Sequence, residues 1–160
     1  MPDGKRRGVA AGDLMPDVVL LDQNGEAVRL RDLVGKSALV VFFYPRDGAP
    51  VCTREACQFG ERYQEFTDLT AEVIGISGDD RESHARFAAR HHLPFRLLSD
   101  TDGEARRRFG ADGVMGLIPG RVTYVVDRQG VVRHIYRSQL QAARHVREAL
   151  SALQTETDSR

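Results

Sequence analysis

Two cysteines, Cys52 and Cys57, are the only thiols in the chain, and both fall in one segment running from Phe42 to Cys57. Such a pair is open to metal binding, disulfide formation or attack by a thiolate. The apolar run Ala38 to Tyr44 precedes it and reads as a buried strand; Pro45 stops that strand, and Pro50 suits the first turn of a helix. Cys52 therefore falls at a helix start, where free backbone N–H groups and the helix dipole favour an anionic sulfur. Zinc takes about four ligands at characteristic spacings. None of His84, His91, His92, His134 and His145 stands at such a spacing from the pair, so no metal is expected. A Cys-x-x-Cys motif is absent, because four residues intervene. Five helical residues turn through ~500°, setting the two sulfurs ~140° apart with Cα atoms ~8 Å from each other, beyond the ~7 Å limit for a disulfide. A bond between them requires the helix start to unwind. Two buried, inert thiols are the alternative.

The elements that must position this segment follow from apolar periodicity and turn residues. Val18–Leu21 and Ala27–Leu30 flank Asp22-Gln23-Asn24-Gly25, an N-terminal β-hairpin. After the strand Ala38–Tyr44, Pro50 to Leu69 carries Ala56, Phe59, Tyr63 and Phe66 on one face and predicts a single helix. Glu72–Ser77 is a second buried strand, Arg81–His91 a helix, Phe95–Leu98 a short strand and Asp100–Phe109 another helix. Ala111–Gly120 is a glycine-rich loop; Met115, Leu117 and Ile118 within it read as ordinary packing residues. Val122–Val126 and Val131–Tyr136 form a second hairpin, and Gln141–Leu153 a terminal amphipathic helix. The order predicts an α/β protein, a mixed central sheet with helices on both faces, compatible with a thioredoxin-like core. Residues 1–12 are expected to fray, 13–154 to form one domain and 155–160 to form a flexible tail.

The 160 residues are 41% hydrophobic and 29% charged, with zero formal net charge. Nothing in that balance favours nucleic acid. No apolar run approaches the ~20 residues of a membrane helix. Met1 to Gly8 is charged with no apolar segment behind it, so no signal peptide and a cytoplasmic location are expected. Thiols stay reduced in that compartment, which favours a redox role for the pair over a structural one.

The segment Phe-Tyr44-Pro45-Arg-Asp-x-x-Pro50-Val51-Cys52-Thr-Arg-Glu55-Ala-Cys57 resembles the active-site segment of the peroxiredoxins. Its second cysteine, five residues on, is similar to that of the bacterioferritin comigratory protein group, the Q-type peroxiredoxins. Met15-Pro16-Asp17, Val73-Ile-Gly-Ile-Ser77, Leu93-Pro-Phe-x-Leu-Leu-Ser-Asp100 and Arg121-Val-Thr-Tyr-Val-Val-Asp127 extend the resemblance over nearly all of the chain. It implies a thioredoxin-like fold and a cofactor-free thiol peroxidase acting on hydrogen peroxide and organic hydroperoxides. Cys52 is then the peroxidatic thiolate and is oxidised to a sulfenic acid. Cys57 is the resolving thiol that forms an intramolecular disulfide with it, and thioredoxin or a similar dithiol is the reductant. Arg121 and the N–H groups of Val51 and Cys52 would hold the peroxide, Glu55 would orient Arg121, and Pro45 would shield the thiolate. The resemblance also implies a monomer, with a dimer as the alternative. Val18 stands where the family more usually has Phe, and one position of the active-site segment departs from the pattern as well. Ala49 stands where the family has Thr or Ser, and its missing hydroxyl implies either a weakened rate or replacement by Thr53 or water. A low-turnover peroxide sensor, or a degenerate binding protein on the same fold, is the alternative function that Ala49 favours.

Overall fold

The computed structural model describes residues 8–112 and 120–158. Seven strands form one sheet: β1 (Val19–Asp22), β2 (Ala27–Arg29), β3 (Ala38–Phe43), β4 (Ala71–Ser77), β5 (Arg96–Ser99), β6 (Val122–Val126) and β7 (Val132–Arg137). Their spatial order is β2-β1-β5-β4-β3-β6-β7. The central β5, β4 and β3 run parallel, while the hairpins add antiparallel strands at both edges. Among the described residues, five α-helices accompany the sheet: α1 (Pro50–Glu61), α2 (Tyr63–Asp68), α3 (Arg81–His91), α4 (Glu104–Phe109) and α5 (Ala142–Asp158), with a 3-10 turn at Leu30–Leu33.

The unbroken apolar run in β3 is explained by burial on both faces. Leu39, Val41 and Phe43 point into a core shared with Leu30, Ile74, Ile76, Phe109 and Tyr124. Val40, Phe42 and Tyr44 point the other way, toward Cys52, Ala56 and Phe59 of α1, Phe87 of α3 and Val146 of α5. The expected mixed sheet with helices on both faces is the architecture found, and the N-terminal hairpin is β1–β2.

Several boundaries differ from expectation. The single helix expected from Pro50 to Leu69 is two, because Arg62 leaves helical geometry (φ −103°, ψ 16°) and its guanidinium instead holds Glu65 at 2.7 Å. Helix α4 starts four residues late: Asp100 lies before a turn, and its carboxylate accepts from the N–H groups of Ala105 and Arg106. Within the stretch 1–12 expected to fray, residues 9–12 make backbone hydrogen bonds to the body of the protein. The Val9 N–H donates to the Phe109 carbonyl and the Gly12 N–H to the Val132 carbonyl, tying this stretch to α4 and β7. The expected tail is helical as far as Asp158; Thr155 back-bonds to the Ser151 carbonyl and Glu156 lies 4.0 Å from Arg133. Met115, Leu117 and Ile118 lie outside the described residues. Among the described residues, no helix is long and apolar enough to cross a membrane.

Candidate active site

The site forms where β3 hands the chain to α1. The Tyr44 N–H still donates to the Ile76 carbonyl at 3.1 Å, after which Pro45 ends the pairing. Gly48 turns the chain with φ +83°, a conformation that suits glycine. Ala49 is the N-cap of α1 and Pro50 opens it, which places Val51 and Cys52 in the first turn with N–H groups free of intrahelical partners. Cys52 is fully buried, and Cys57, on the same helix, is half-buried; both are free thiols. Cys52 packs in the core between α1 and the sheet, whereas Cys57 lines a surface groove.

Strand register brings Arg121 to the same place. Phe43, the last residue of β3, pairs with Val122, so Arg121 stands at the edge of the sheet where β3 ends. Alternation along β6 puts Arg121 on the face of Thr123 and Val125, which is the face α1 covers. Arg121 is fixed by three bonds. Nη2 donates to Cys52 Sγ at 3.3 Å, Nη1 to Glu55 Oε1 at 2.8 Å and Nε to the Gln139 carbonyl at 2.9 Å. Glu55 follows Cys52 by three residues, one helical turn, so the two side chains share a face. The Arg121 cation thus lies against the sulfur, with its planar fork held by a carboxylate. Pro45 is half-buried in the loop between β3 and α1.

Burial pushes the Glu55 carboxyl up to about 7, against the pull of Arg121. Its second oxygen, Oε2, is buried without a hydrogen-bond partner and faces Nδ1 of His145 at 3.4 Å. His145 is also fully buried, and burial lowers it to about 4, so its ring is neutral. Its Nε2–H donates to the Ser138 carbonyl at 2.8 Å, which leaves Nδ1 to accept from the Thr123 hydroxyl at 2.7 Å. A protonated Glu55 would carry its hydrogen on Oε2, the oxygen facing Nδ1. The sequence reading missed His145 except as a rejected metal ligand; the available signal was a histidine beside Ala142, Val146 and Ala149 on the apolar face of α5.

The loop before α1 is anchored on its other side. His84 of α3 has no solvent exposure; its Nδ1 lies 2.7 Å from Asp47 Oδ2 and its Nε2 lies 3.1 Å from the Leu98 carbonyl. The ring thus bridges a carboxylate of the loop and a carbonyl of β5. Tyr44 and Ser83 also donate to Asp47, and the Asp47 N–H donates to Asp79. Burial raises the Asp47 carboxyl, but the bonds from His84, Tyr44 and Ser83 outweigh it and hold the group below its ordinary range. Asp47, Asp79 and His84 gather ligand-type atoms within 4.8 Å of one another. Each is already committed to a protein partner, so the cluster reads as a strut between the loop and α3. Ala49 presents no hydroxyl to Cys52, and Thr53 lines the groove with Cys57.

Comparison with known proteins agrees with this geometry. Residues 11–135 match the model of the AhpC/TSA family. The chloroplastic peroxiredoxin Q of Arabidopsis thaliana is 46% identical over 146 residues, 91% of this chain and 67% of that protein. The chloroplastic peroxiredoxin Q of Oryza sativa subsp. japonica is 45% identical over 148 residues, 92% of this chain and 68% of that protein. Among solved structures, peroxidoxin BcpB from Mycobacterium tuberculosis matches with a TM-score of 0.85 and 36% identity, covering 91% of this chain and 96% of that one. The bacterioferritin comigratory protein of Xanthomonas campestris, studied for its alkyl peroxide reduction activity, matches with a TM-score of 0.79 and 29% identity over 92% of this chain and 99% of that one. The cytoplasmic location expected from the charged, non-apolar N-terminus is contradicted by the relatives, which are chloroplastic. The physical reason is that a catalytic domain folds and reacts independently of whatever directs it to a compartment. On the family match, the identities and the shared thioredoxin-like fold, this chain belongs to the AhpC/TSA family, among the peroxiredoxin Q proteins.

Proposed function

We propose that this chain is a thiol peroxidase that reduces hydrogen peroxide and organic hydroperoxides with Cys52. The observation that carries the reading is a buried sulfur in the first turn of a helix, 3.3 Å from an arginine whose orientation a buried glutamate fixes. The Cys52 thiolate attacks the terminal peroxide oxygen. The O–O bond breaks, the leaving oxygen takes a proton, and Cys52 becomes a sulfenic acid. Arg121 and the free N–H groups of Val51 and Cys52 stabilise the charge that moves between the oxygens. Pro45 shields the thiolate from bulk water.

The Cys57 thiol then condenses with the sulfenic acid, releasing water and forming the Cys52–Cys57 disulfide. Because both residues lie in α1 and face different surroundings, the first turns of the helix must open for this step. A protein dithiol of the thioredoxin type restores the thiols by exchange. The bond lies within one chain, so the cycle runs in a monomer.

The test is a non-reducing mass measurement after one equivalent of peroxide, beside stopped-flow kinetics. The wild type is expected to lose two hydrogens, and Cys57→Ser to retain one added oxygen as a trapped sulfenic acid. A wild type that instead keeps a stable added oxygen sinks the proposed cycle. Ala49 favours a second reading, a peroxide sensor that oxidises once and recycles slowly. Repeated turnover with a thioredoxin system decides for the enzyme.

A further inference from the structure

One guanidinium serves two acids in a buried site. Arg121 meets the Cys52 sulfur at 3.3 Å and Glu55 Oε1 at 2.8 Å. The Arg121 side chain is 4% exposed, and those of Glu55 and His145 are 0% exposed. Arg121 is the cation whose field reaches both Glu55 and His145. Around the imidazole stand the Thr123 hydroxyl at 2.7 Å, the Ser138 carbonyl at 2.8 Å and the Tyr136 ring of β7, its centroid 4.8 Å away; Arg144 lies over that ring. With Cys52 a thiolate and Glu55 a carboxylate, the site would hold two negative charges against one positive, a costly excess away from water. Glu55 Oε2 bears on how that excess is relieved. It is buried with no hydrogen-bond partner, and it faces a ring nitrogen that turns a lone pair toward it. Two acceptors 3.4 Å apart are at odds unless a proton lies between them. One proton on Oε2 satisfies that oxygen and brings the site to zero charge with Cys52 as the thiolate. A thiol at Cys52 with an ionised Glu55 is neutral as well, so the two acids share one proton.

We propose that Glu55, with His145 as its acceptor, is the proton carrier of the active site: it holds a proton while Cys52 is a thiolate and gives it up as Cys52 is oxidised. The inference rests on the reading of Cys52 as the attacking thiolate. The sulfur bonds to the terminal peroxide oxygen and the O–O bond breaks. The electron pair leaves on the other oxygen, which takes one proton and departs as water or an alcohol. The sulfenic acid is uncharged, so Arg121 has Glu55 alone to neutralise, and the carboxyl releases its proton. One proton is released and one is taken up, and the site carries zero net charge before and after. His145 is a positioning residue in this scheme. Its neutral ring gives Oε2–H an acceptor and adds no second cation that would hold Glu55 ionised. Burial raises Glu55 to about 7 and lowers His145 to about 4, which agrees with a proton on the carboxyl rather than on the ring.

The test uses the full chain carrying Cys57→Ser, in which oxidation stops at Cys52, just below the pH of about 7 at which Glu55 releases its proton. Thiolate absorbance at rest and mass after one equivalent of peroxide are read first. A protein that gains no oxygen overturns the peroxidase reading and the carrier together; one that gains oxygen but has no thiolate at rest overturns the carrier alone. Stopped flow in weak buffer with a pH indicator then counts protons. The parent is expected to take up none for each sulfenic acid formed. The added substitution Glu55→Gln, whose amide oxygen still accepts from Arg121, is expected to take up one. Equal uptake in the two proteins overturns the carrier, because a glutamate that only orients Arg121 leaves the count unchanged. The oxidised-minus-reduced infrared difference spectrum identifies the group. A protonated-carboxyl band should vanish on oxidation of the parent and be missing throughout in Glu55→Gln; a band that persists after oxidation overturns the proposal. His145→Gln, whose amide oxygen takes the place of Nδ1, should keep the band at a shifted frequency, and an unmoved band overturns His145 as the acceptor.

Discussion

Ala49 holds the N-cap of α1 in extended geometry (φ −66°, ψ 144°) with no side chain to cap the first turn. A threonine there would present a hydroxyl both to the free N–H groups of that turn and to the reacting atoms beside Cys52. Ala49→Thr is therefore expected to raise the rate of Cys52 oxidation by at least ~10-fold, in keeping with the usual worth of one transition-state hydrogen bond. Stopped-flow kinetics measure it, and an unchanged or lower rate removes the hydroxyl from the account. A second residue-scale expectation concerns Glu55 and His145. Glu55 is raised from 4.5 to about 7, so between those values the folded state holds more protons than the unfolded one, and stability is lost as pH rises. His145 is lowered from 6.5 to about 4, so between those values the folded state holds fewer protons, and stability is gained as pH rises. In the wild type the two slopes oppose each other between about pH 4.5 and 6.5. Glu55→Gln should leave a stability that climbs with pH across that window, and His145→Gln one that falls. Urea midpoints at a series of pH values check both, and parallel curves for the three proteins would contradict the assignment.

At the scale of elements, the loop from Pro45 to Ala49 is held between two buried polar systems, Arg121 with Glu55 beside α1 and Asp47 with His84 beside α3. Releasing the second should loosen the start of α1 without touching Arg121. Asp47→Asn is expected to cost about 1–3 kcal/mol, the usual range when buried hydrogen-bond partners are left unsatisfied, and to speed formation of the Cys52–Cys57 disulfide after peroxide. Tyrosine fluorescence and quenched-flow mass measurements would follow the step, and a slower condensation would show that the strut does not restrain the helix. The elements also show how far the sequence could be read. β3, β4 and β6 were legible because runs such as Ala38–Tyr44 have one physical explanation, burial on both faces. Cys52, Glu55 and Arg121 were legible because local spacing and a family motif mark them. The His145–Thr123 contact and the Asp47–His84 strut were not, because they join residues 22 and 37 positions apart through tertiary packing. The break at Arg62 was hidden for the opposite reason: the apolar period of Phe59, Tyr63 and Phe66 continues across it.

The whole molecule depends on close contact between the sheet and its helical layers. Gly75, in the middle of β4, lies beneath the Phe42 ring, and a Cβ there would meet the ring at 2.8 Å and Leu97 at 2.9 Å. Phe42 in turn stacks on Phe59 of α1 at 4.5 Å between centroids. Gly75→Ala should therefore destabilise the entire fold by about 1–3 kcal/mol through overpacking, seen as a lower urea midpoint with an unchanged slope. A loss confined to activity would show that the layers can part locally. The bare N-cap at Ala49 has a further consequence at this scale, because the proposed cycle is a race. Once Cys52 carries a sulfenic acid, either Cys57 reaches it or a second peroxide drives it to the sulfinic acid, from which a thiol reductant does not return it. A first turn without a side-chain cap opens more readily, by the ~1 kcal/mol that a capping hydroxyl contributes. In that proposed cycle, the alanine expected to slow each encounter with peroxide would also shorten the sulfur's exposure to the next one. Such a molecule trades speed for endurance, and should go on cycling through bursts of oxidant that would permanently silence a faster relative.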